Sequence, residues 1–302
     1  MIDSVIATDG LGHAYGNVVA LHDLDLAVPP GRIGLVGANG AGKSTLIRIM
    51  LGILRPTVGI ARVFGLDSRT EELTIRSRVG YMPEADCLPL DVTASDFLYH
   101  AAALAGLPGK AARQRASDVL SLVGLDEERF RQLGGFSTGM KQRTKLAQAI
   151  VHDPDLVFLD EPTAGLDPEG REEMLSLIER LGGFGIDVVV SSHVLHDIER
   201  TCDWVIMLEG GRAIRSGPLA SLIDHDIVEV EPLERLDDVA AALAARGAVV
   251  EHNGARLYVT HPGGDPFLTV RDTLADLGIG LRSLGPRQTT LEDVFLAEGT
   301  AS

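Results

Sequence analysis

The order of apolar and polar positions divides the chain into elements before any motif is considered. Arg32-Ile33-Gly34-Leu35-Val36 is a short apolar run that reads as a buried strand, and Leu46-Ile47-Arg48-Ile49-Met50-Leu51 continues with helix formers. Upstream, residues 4–28 read as two strands. Val5-Ile6-Ala7 opens the first, and Val18, Ala20, Leu24, Leu26 and Val28 recur mostly in alternation along the second. Leu54 to Gly59 reads as a turn, Ala61–Phe64 as a short strand, and Val79-Gly80-Tyr81-Met82-Pro83-Glu84 as a strand end. The character then changes. Thr93-Ala94-Ser95-Asp96 fits a capping box opening a helix that Gly106-Leu107-Pro108-Gly109 ends, and a second helix runs from about Ala111 to Val123. Another covers Ser137 to Val151, with Met140, Thr144, Ala147 and Val151 on one face. Leu156-Val157-Phe158-Leu159 is a buried strand closed by Asp160-Glu161. A helix from about Pro168 to Leu181 and a strand at Val188-Val189-Val190 follow. Two strands flanking Glu209-Gly210-Gly211 predict a hairpin.

Around residue 220 the pattern shifts. Residues 221–302 hold 14 acidic and 6 basic side chains, and their order predicts strand 227–230, helix 236–245, strand 249–251, strand 256–260, helix 267–277 and strand 281–284. Thr289-Thr290-Leu291-Glu292 is expected to cap a closing helix. The expected organisation is a first domain over 1–220, with a helical subdomain at about 90–152, and an accessory α+β domain over 221–302.

Composition narrows the function. An apolar share of 45% and a charged share of 23% are those of an ordinary soluble protein. The net charge of −16 argues against a nucleic-acid surface, which needs clustered Lys and Arg, and against attachment to anionic lipid by charge alone. Cys87 and Cys202 stand too far apart for a metal pattern, and a reducing cytosol is expected. Met1-Ile2-Asp3-Ser4 lacks a basic segment and a long apolar core, so no signal peptide is expected. No run approaches the length that spans a bilayer, and any membrane role therefore calls for another chain.

The candidate chemistry begins at Gly37-Ala38-Asn39-Gly40-Ala41-Gly42-Lys43-Ser44-Thr45. This is a complete G-x-x-x-x-G-K-S pattern between a strand and a helix. Its glycines let backbone N–H groups turn toward phosphate oxygens, and the helix N-terminus points its positive end at the same anion. Lys43 is expected on the β- and γ-phosphates of ATP, and the Ser44 hydroxyl on Mg²⁺. Two carboxylates after four apolar residues are costly without a cation or donors. Asp160 therefore suits the hydrated Mg²⁺ and Glu161 the role of general base on the attacking water. Ser137 and Gly139 at a helix start form a second anion site, though taken alone plain capping explains them as well.

In this order the set resembles the nucleotide-binding subunits of ATP-binding cassette (ABC) transporters over about residues 4–220. Tyr15 matches the adenine-stacking aromatic and Gly37–Thr45 matches Walker A. Phe136-Ser137-Thr138-Gly139-Met140 fills the signature slot, Leu156–Glu161 is Walker B, Ala164-Gly165-Leu166-Asp167 the D-loop and His193 the switch histidine. Two departures, the Phe-Ser-Thr-Gly-Met signature and Glu84 in place of the Q-loop glutamine, look like the branch serving ABC-2-type exporters. The tail ending Thr290-Leu291-Glu292-Asp293-Val294-Phe295-Leu296 resembles that branch's C-terminal extension.

The resemblance implies an α/β fold: a phosphate-loop NTPase (ABC ATPase) core with an antiparallel β subdomain and a helical subdomain. It implies an ATP hydrolase, peripheral on the cytoplasmic face of the cell membrane, energising export through an ABC-2-type permease on a separate chain. It also implies a head-to-tail dimer in which Ser137 and Gly139 of one copy cap the γ-phosphate held by Lys43 of the other, with Asp167 crossing the interface and His193 contacting the γ-phosphate. Glu84 is expected near Mg²⁺. The competing class is a soluble ABC ATPase acting on ribosomes or DNA. Such proteins commonly carry two cassettes or a coiled-coil insertion and basic surfaces, none of which is in this sequence. A GTPase should carry an Asn-Lys-x-Asp motif, which is absent.

Overall fold

The structure, a computed structural model, describes residues 4–222, 227–287, 291, 292 and 294. The chain divides into two units, Met1–Leu219 and Ala220–Ser302.

The first unit opens with β1 (Ile6–Tyr15) and β2 (Val18–Val28), an antiparallel pair. The register of β1 slips near Gly10, and Thr8 repairs the ladder with its hydroxyl. That group donates to Leu24 O at 2.7 Å and accepts from Leu26 N at 2.9 Å. Next come β3 (Arg32–Val36), α1 (Lys43–Met50), β4 (Val58–Val63), β5 (Leu66–Asp67), α2 (Glu72–Arg78) and β6 (Val79–Met82). The helical stretch is α3 (Ala94–Leu104), α4 (Gly109–Leu122) and α5 (Thr138–Ile150). The unit continues through β7 (Leu156–Asp160), α6 (Pro168–Gly183), β8 (Asp187–Ser192), α7 (Leu195–Thr201), β9 (Trp204–Glu209) and β10 (Arg212–Pro218).

Two sheets result. The strands β2-β1-β4-β5 form one, antiparallel throughout. The strands β10-β9-β3-β8-β7-β6 form the other, parallel except for the β9–β10 hairpin. The continuous apolar runs follow from this. A parallel strand covered on both faces has no solvent side to pattern, and every residue of β7 is buried. The core joins both sheets to α1 through residues such as Leu11, Leu24, Ile33, Ile47, Phe158 and Ile206.

Most boundaries follow the sequence pattern, with informative exceptions. The strand expected near Ala61 begins earlier, at Val58, because Gly12 and Ile60-Asp9 pairings extend the ladder into the expected turn. Helices α2 and α7 carry too few apolar positions to show a period. Ile75 is the buried residue of α2, and α7 spans only seven residues. Thr93 caps α3 as expected, accepting from Asp96 N at 3.1 Å.

The second unit holds β11 (Val228–Pro232), α9 (Leu236–Ala245), β12 (Val249–Asn253), β13 (Arg256–Thr260), α10 (Pro266–Leu277) and β14 (Leu281–Pro286), with the short α8 (Leu219–Leu222) preceding them. The order β12-β13-β11-β14, antiparallel throughout, with two helices, is a βαββαβ arrangement. Val228, Val230, Leu257 and Val259 pack against Val239, Leu243, Val270 and Leu274. Glu229 and Glu231 alternate with those core valines and pair with Arg256, at 2.7 and 3.3 Å. The Thr289-Thr290 cap lies outside the described residues.

Candidate nucleotide site

The loop after β3 is built around close approaches that exclude a side chain. A Cβ on Gly37 would stand 2.4 Å from Leu208 O, and one on Gly42, where φ is +103°, would stand 2.7 Å from Ala20 O. Gly40, with φ +84°, turns the loop in open space. The chain then enters α1 at Lys43 with no side-chain cap and no acidic residue in the first turn, and that first turn lines a cavity of about 270 Å³. Ala38 to Thr45, Ala20, Glu84 and Glu161 line that cavity. The glycine cradle, the lysine and the bare helix N-terminus fit a polyphosphate.

Lys43 Nζ donates to Gly37 O at 2.7 Å and stands 3.4 Å from Glu161 Oε1. Glu161 reaches that position through a left-handed backbone at φ +51°, a costly conformation for a residue with a Cβ, held by its N–H bond to Ser191 O at 3.0 Å. Its other carboxylate oxygen accepts from His193 Nδ1 at 2.9 Å, and His193 itself is half-exposed. Glu161 Oε1 is buried and accepts no hydrogen bond among the described residues. Asp160 is buried, and its carboxylate accepts from Ser191 Oγ at 2.6 Å. Among the described residues no three His, Cys, Asp or Glu side chains cluster as a metal cage. The donors available to Mg²⁺ are instead a hydroxyl and separate carboxylates, which suits an ion that keeps its waters and leans on phosphate oxygens.

Glu84 follows β6, is exposed, and lines the same cavity as Lys43. Its backbone carbonyl accepts from Lys145 Nζ at 2.9 Å. Burial pushes the Lys145 ammonium pKa down, against the opposing pull of Cys87, Asp86, Glu84 and Asp160. Sequence reading missed this lysine. Its signal was a charge within the buried side of the helix that carries Thr144 and Ala147.

Ser137 caps α5, accepting from Met140 N at 3.2 Å, and Asp167 caps α6, accepting from Gly170 N at 3.0 Å. Ser137, Gly139 and Asp167 line one cavity of about 520 Å³, with Gly165 and Arg143. The residues lining it and those lining the Lys43 cavity do not overlap. Tyr15 ends β1, 45% exposed and edge-on to His13 at 4.6 Å, outside the lining of either cavity. Asp197 on α7 was also missed. It is buried, accepts from Thr163 Oγ1 at 2.8 Å and Arg171 Nε at 2.7 Å, and so ties α7 to α6 just after His193.

A glycine loop entering a helix, backed by a strand-end Asp-Glu pair on a parallel sheet, defines the class as a phosphate-loop nucleotide hydrolase. The profile of the family described as ABC transporter matches residues 21–164. The chain is 34% identical to the daunorubicin/doxorubicin resistance ATP-binding protein DrrA of Streptomyces peucetius, over 97% of this chain and 91% of that one. It is 33% identical to the Nod factor export ATP-binding protein I of Ralstonia nicotianae, over 97% and 92%. A solved ATP-binding subunit of an ABC transporter superposes with a TM-score of 0.65 at 29% identity, covering 72% of this chain and 92% of that chain. The chain belongs to the ABC transporter family, as one of its ATP-binding and ATP-hydrolysing subunits.

Proposed function

We propose that this chain energises export through an ABC-2-type permease carried on a separate chain, at the inner face of the cell membrane, and that it works as a head-to-tail pair. The observation that carries the pairing is the separation of the two half-sites. Lys43 and Glu161 face one cavity, while Ser137, Gly139 and Asp167 face another. A second copy supplies the missing half to each. No helix among the described residues is long and apolar enough to cross a membrane. In this reading the translocation path belongs to a partner. The end-to-end likeness to proteins named for drug resistance and Nod factor export supports the direction of transport. A cleft lined by Ile53, Tyr81, Phe97 and Leu104, with Leu104 90% exposed, is the surface we assign to the permease.

In this reading Lys43 and the α1 N-terminus hold the β- and γ-phosphates. Glu161 takes the proton of the attacking water, and His193, bonded to Glu161, approaches the γ-phosphate. Tyr15 stacks on the adenine. Mg²⁺ would be held by Ser44, Asp160 and Glu84, where it neutralises charge on the phosphates.

The test is purification of the tagged full chain from detergent-solubilised membranes. A polytopic membrane protein is expected to accompany it and to be lost on Leu104→Asp. Recovery with ribosomes or DNA, and without a membrane protein, overturns the reading.

A further inference from the structure

Lys145 is 2% exposed, yet its side chain ends in an amine. It sits in the middle of α5, among buried Thr144, Leu146 and Ala147. A methionine there would offer a similar length of apolar stem without the cost of taking a charge out of water. What lysine adds is a donor, and that donor reaches the Glu84 carbonyl at 2.9 Å. Around the amine stand the Cys87 thiol, Asp86, Glu84 itself and Asp160, whose charges oppose the downward push that burial gives its pKa. The bond runs from the helix whose N-cap is Ser137 to a residue that lines the Lys43 cavity. It fastens a backbone atom, so it sets where the exposed Glu84 side chain starts, regardless of its rotamer.

We propose that Lys145 is a positioning residue of the nucleotide site, fixing the Glu84 backbone from α5 so that the Glu84 carboxylate meets Mg²⁺ in the phosphate cavity. The inference rests on the reading of Glu84 as a Mg²⁺ ligand, and the experiment separates the two. Groups behind a metal ligand typically change metal affinity by about ten- to a hundredfold when removed.

Two readouts are taken on the full chain, neither of them turnover. Hydrogen–deuterium exchange follows a peptide over residues 83–90, and a fluorescent ATP analogue is titrated with Mg²⁺. Lys145→Met is expected to speed exchange in that peptide by up to roughly tenfold, the scale of losing one hydrogen bond. It is also expected to raise the Mg²⁺ needed for half-maximal analogue binding by roughly tenfold. Analogue binding at saturating Mg²⁺ is expected to stay as in wild type. Glu84→Ala is expected to raise the Mg²⁺ requirement as well. The double variant is expected to go no further than the larger single change, because the lysine acts only through Glu84.

If Glu84→Ala leaves the Mg²⁺ requirement unchanged, the ligand reading fails and the inference fails with it. If Glu84→Ala raises the requirement but the two changes add, or Lys145→Met leaves exchange at 83–90 unaltered, the inference alone is overturned. Should Lys145→Met fail to fold, the same cycle is run with Lys145→Arg, whose longer head must displace the carbonyl. The same non-additivity supports the inference there, and additivity overturns it.

Discussion

Lys43 Nζ and Glu161 Oε1 lie 3.4 Å apart with both side chains 7% exposed, so the cation of the phosphate loop and the strand-end carboxylate form one buried ion pair. Removing one member of such a pair leaves the other charge buried and unmatched. Lys43→Ala is therefore expected to abolish measurable ATP binding and also to lower stability by about 3 kcal/mol. That is the low end of the usual cost, since Glu161 keeps its bond from His193 at 2.9 Å. Nucleotide titration checks the first effect and urea unfolding the second. Turnover near the wild-type rate would sink the role given to the loop.

Glu161→Gln preserves shape and removes the carboxylate proposed as the base. Hydrolysis is expected to fall by roughly a hundredfold or more, the scale of a general base, while ATP binding survives. With turnover blocked, and if the two cavities are half-sites that a second copy completes as proposed, an ATP-dependent dimer is expected to accumulate, which light scattering would detect. Fast hydrolysis in this variant would move the base elsewhere in the site.

The cut between the two units is open to a direct test. A chain ending after Leu222 retains the bond from Leu219 N to Asp203 O, 2.8 Å long, and keeps every residue that lines the Lys43 cavity. It is expected to fold and to bind ATP with the affinity of the full chain, as read by circular dichroism and nucleotide titration. Loss of folding would show that the first unit depends on the second.

His152 supplies a pH dependence. Burial lowers its pKa from the ordinary 6.5, outweighing the bond to Val79 O at 3.2 Å, which favours the charged form. The folded chain thus holds fewer protons at this site than the unfolded chain. Its contribution to stability is complete above about pH 6.5 and is lost as pH falls through the lower folded value. Thermal melts between pH 7.5 and pH 5 are expected to drop more steeply for wild type than for His152→Gln. Parallel slopes would exclude the site.

How much of this was legible in the sequence varies with the kind of interaction. The loop, the buried strands and the Asp160-Glu161 pair were readable because local backbone demands and a run of apolar residues leave marks on adjacent positions. The helix boundaries of the second unit were readable from period alone, and Leu236–Ala245 matches residue for residue. Glu161's left-handed backbone was not readable, because it is imposed by Ser191, thirty residues away in sequence and beside it in the sheet. Lys145 and Asp197 were harder to read for a related reason. Each is a charged residue on a helix, ordinarily a solvated one, and only the packing of a distant segment makes it a buried partner. The sequence carries no mark that tells whether Ser137 and Lys43 of one chain share a cavity, and the structure sets them on separate ones.

The last prediction separates the two carboxylates that face the phosphate cavity, Glu84 and Glu161. Glu161 is buried, held between Lys43 and His193, and aimed by a strained backbone. Glu84 is exposed, on a loop whose backbone is held by Lys145. A base must lose and regain a proton at a fixed place, which suits the rigid site. A ligand to a hydrated Mg²⁺ needs only an oxygen within reach, which suits the other. Glu84→Gln keeps one acceptor oxygen and drops the charge. It is expected to leave ATP binding and much of the hydrolysis intact while raising the Mg²⁺ concentration that half-saturates the rate. Glu84→Ala, lacking any acceptor, is expected to raise it further. A Mg²⁺ titration of ATPase rate for both variants, run beside Glu161→Gln, decides the matter. If saturating Mg²⁺ restores Glu84→Gln but not Glu161→Gln, the division of labour holds. If Glu84→Gln is as inactive as Glu161→Gln at every Mg²⁺ concentration, Glu84 shares the proton transfer and the assignment of a single base is wrong.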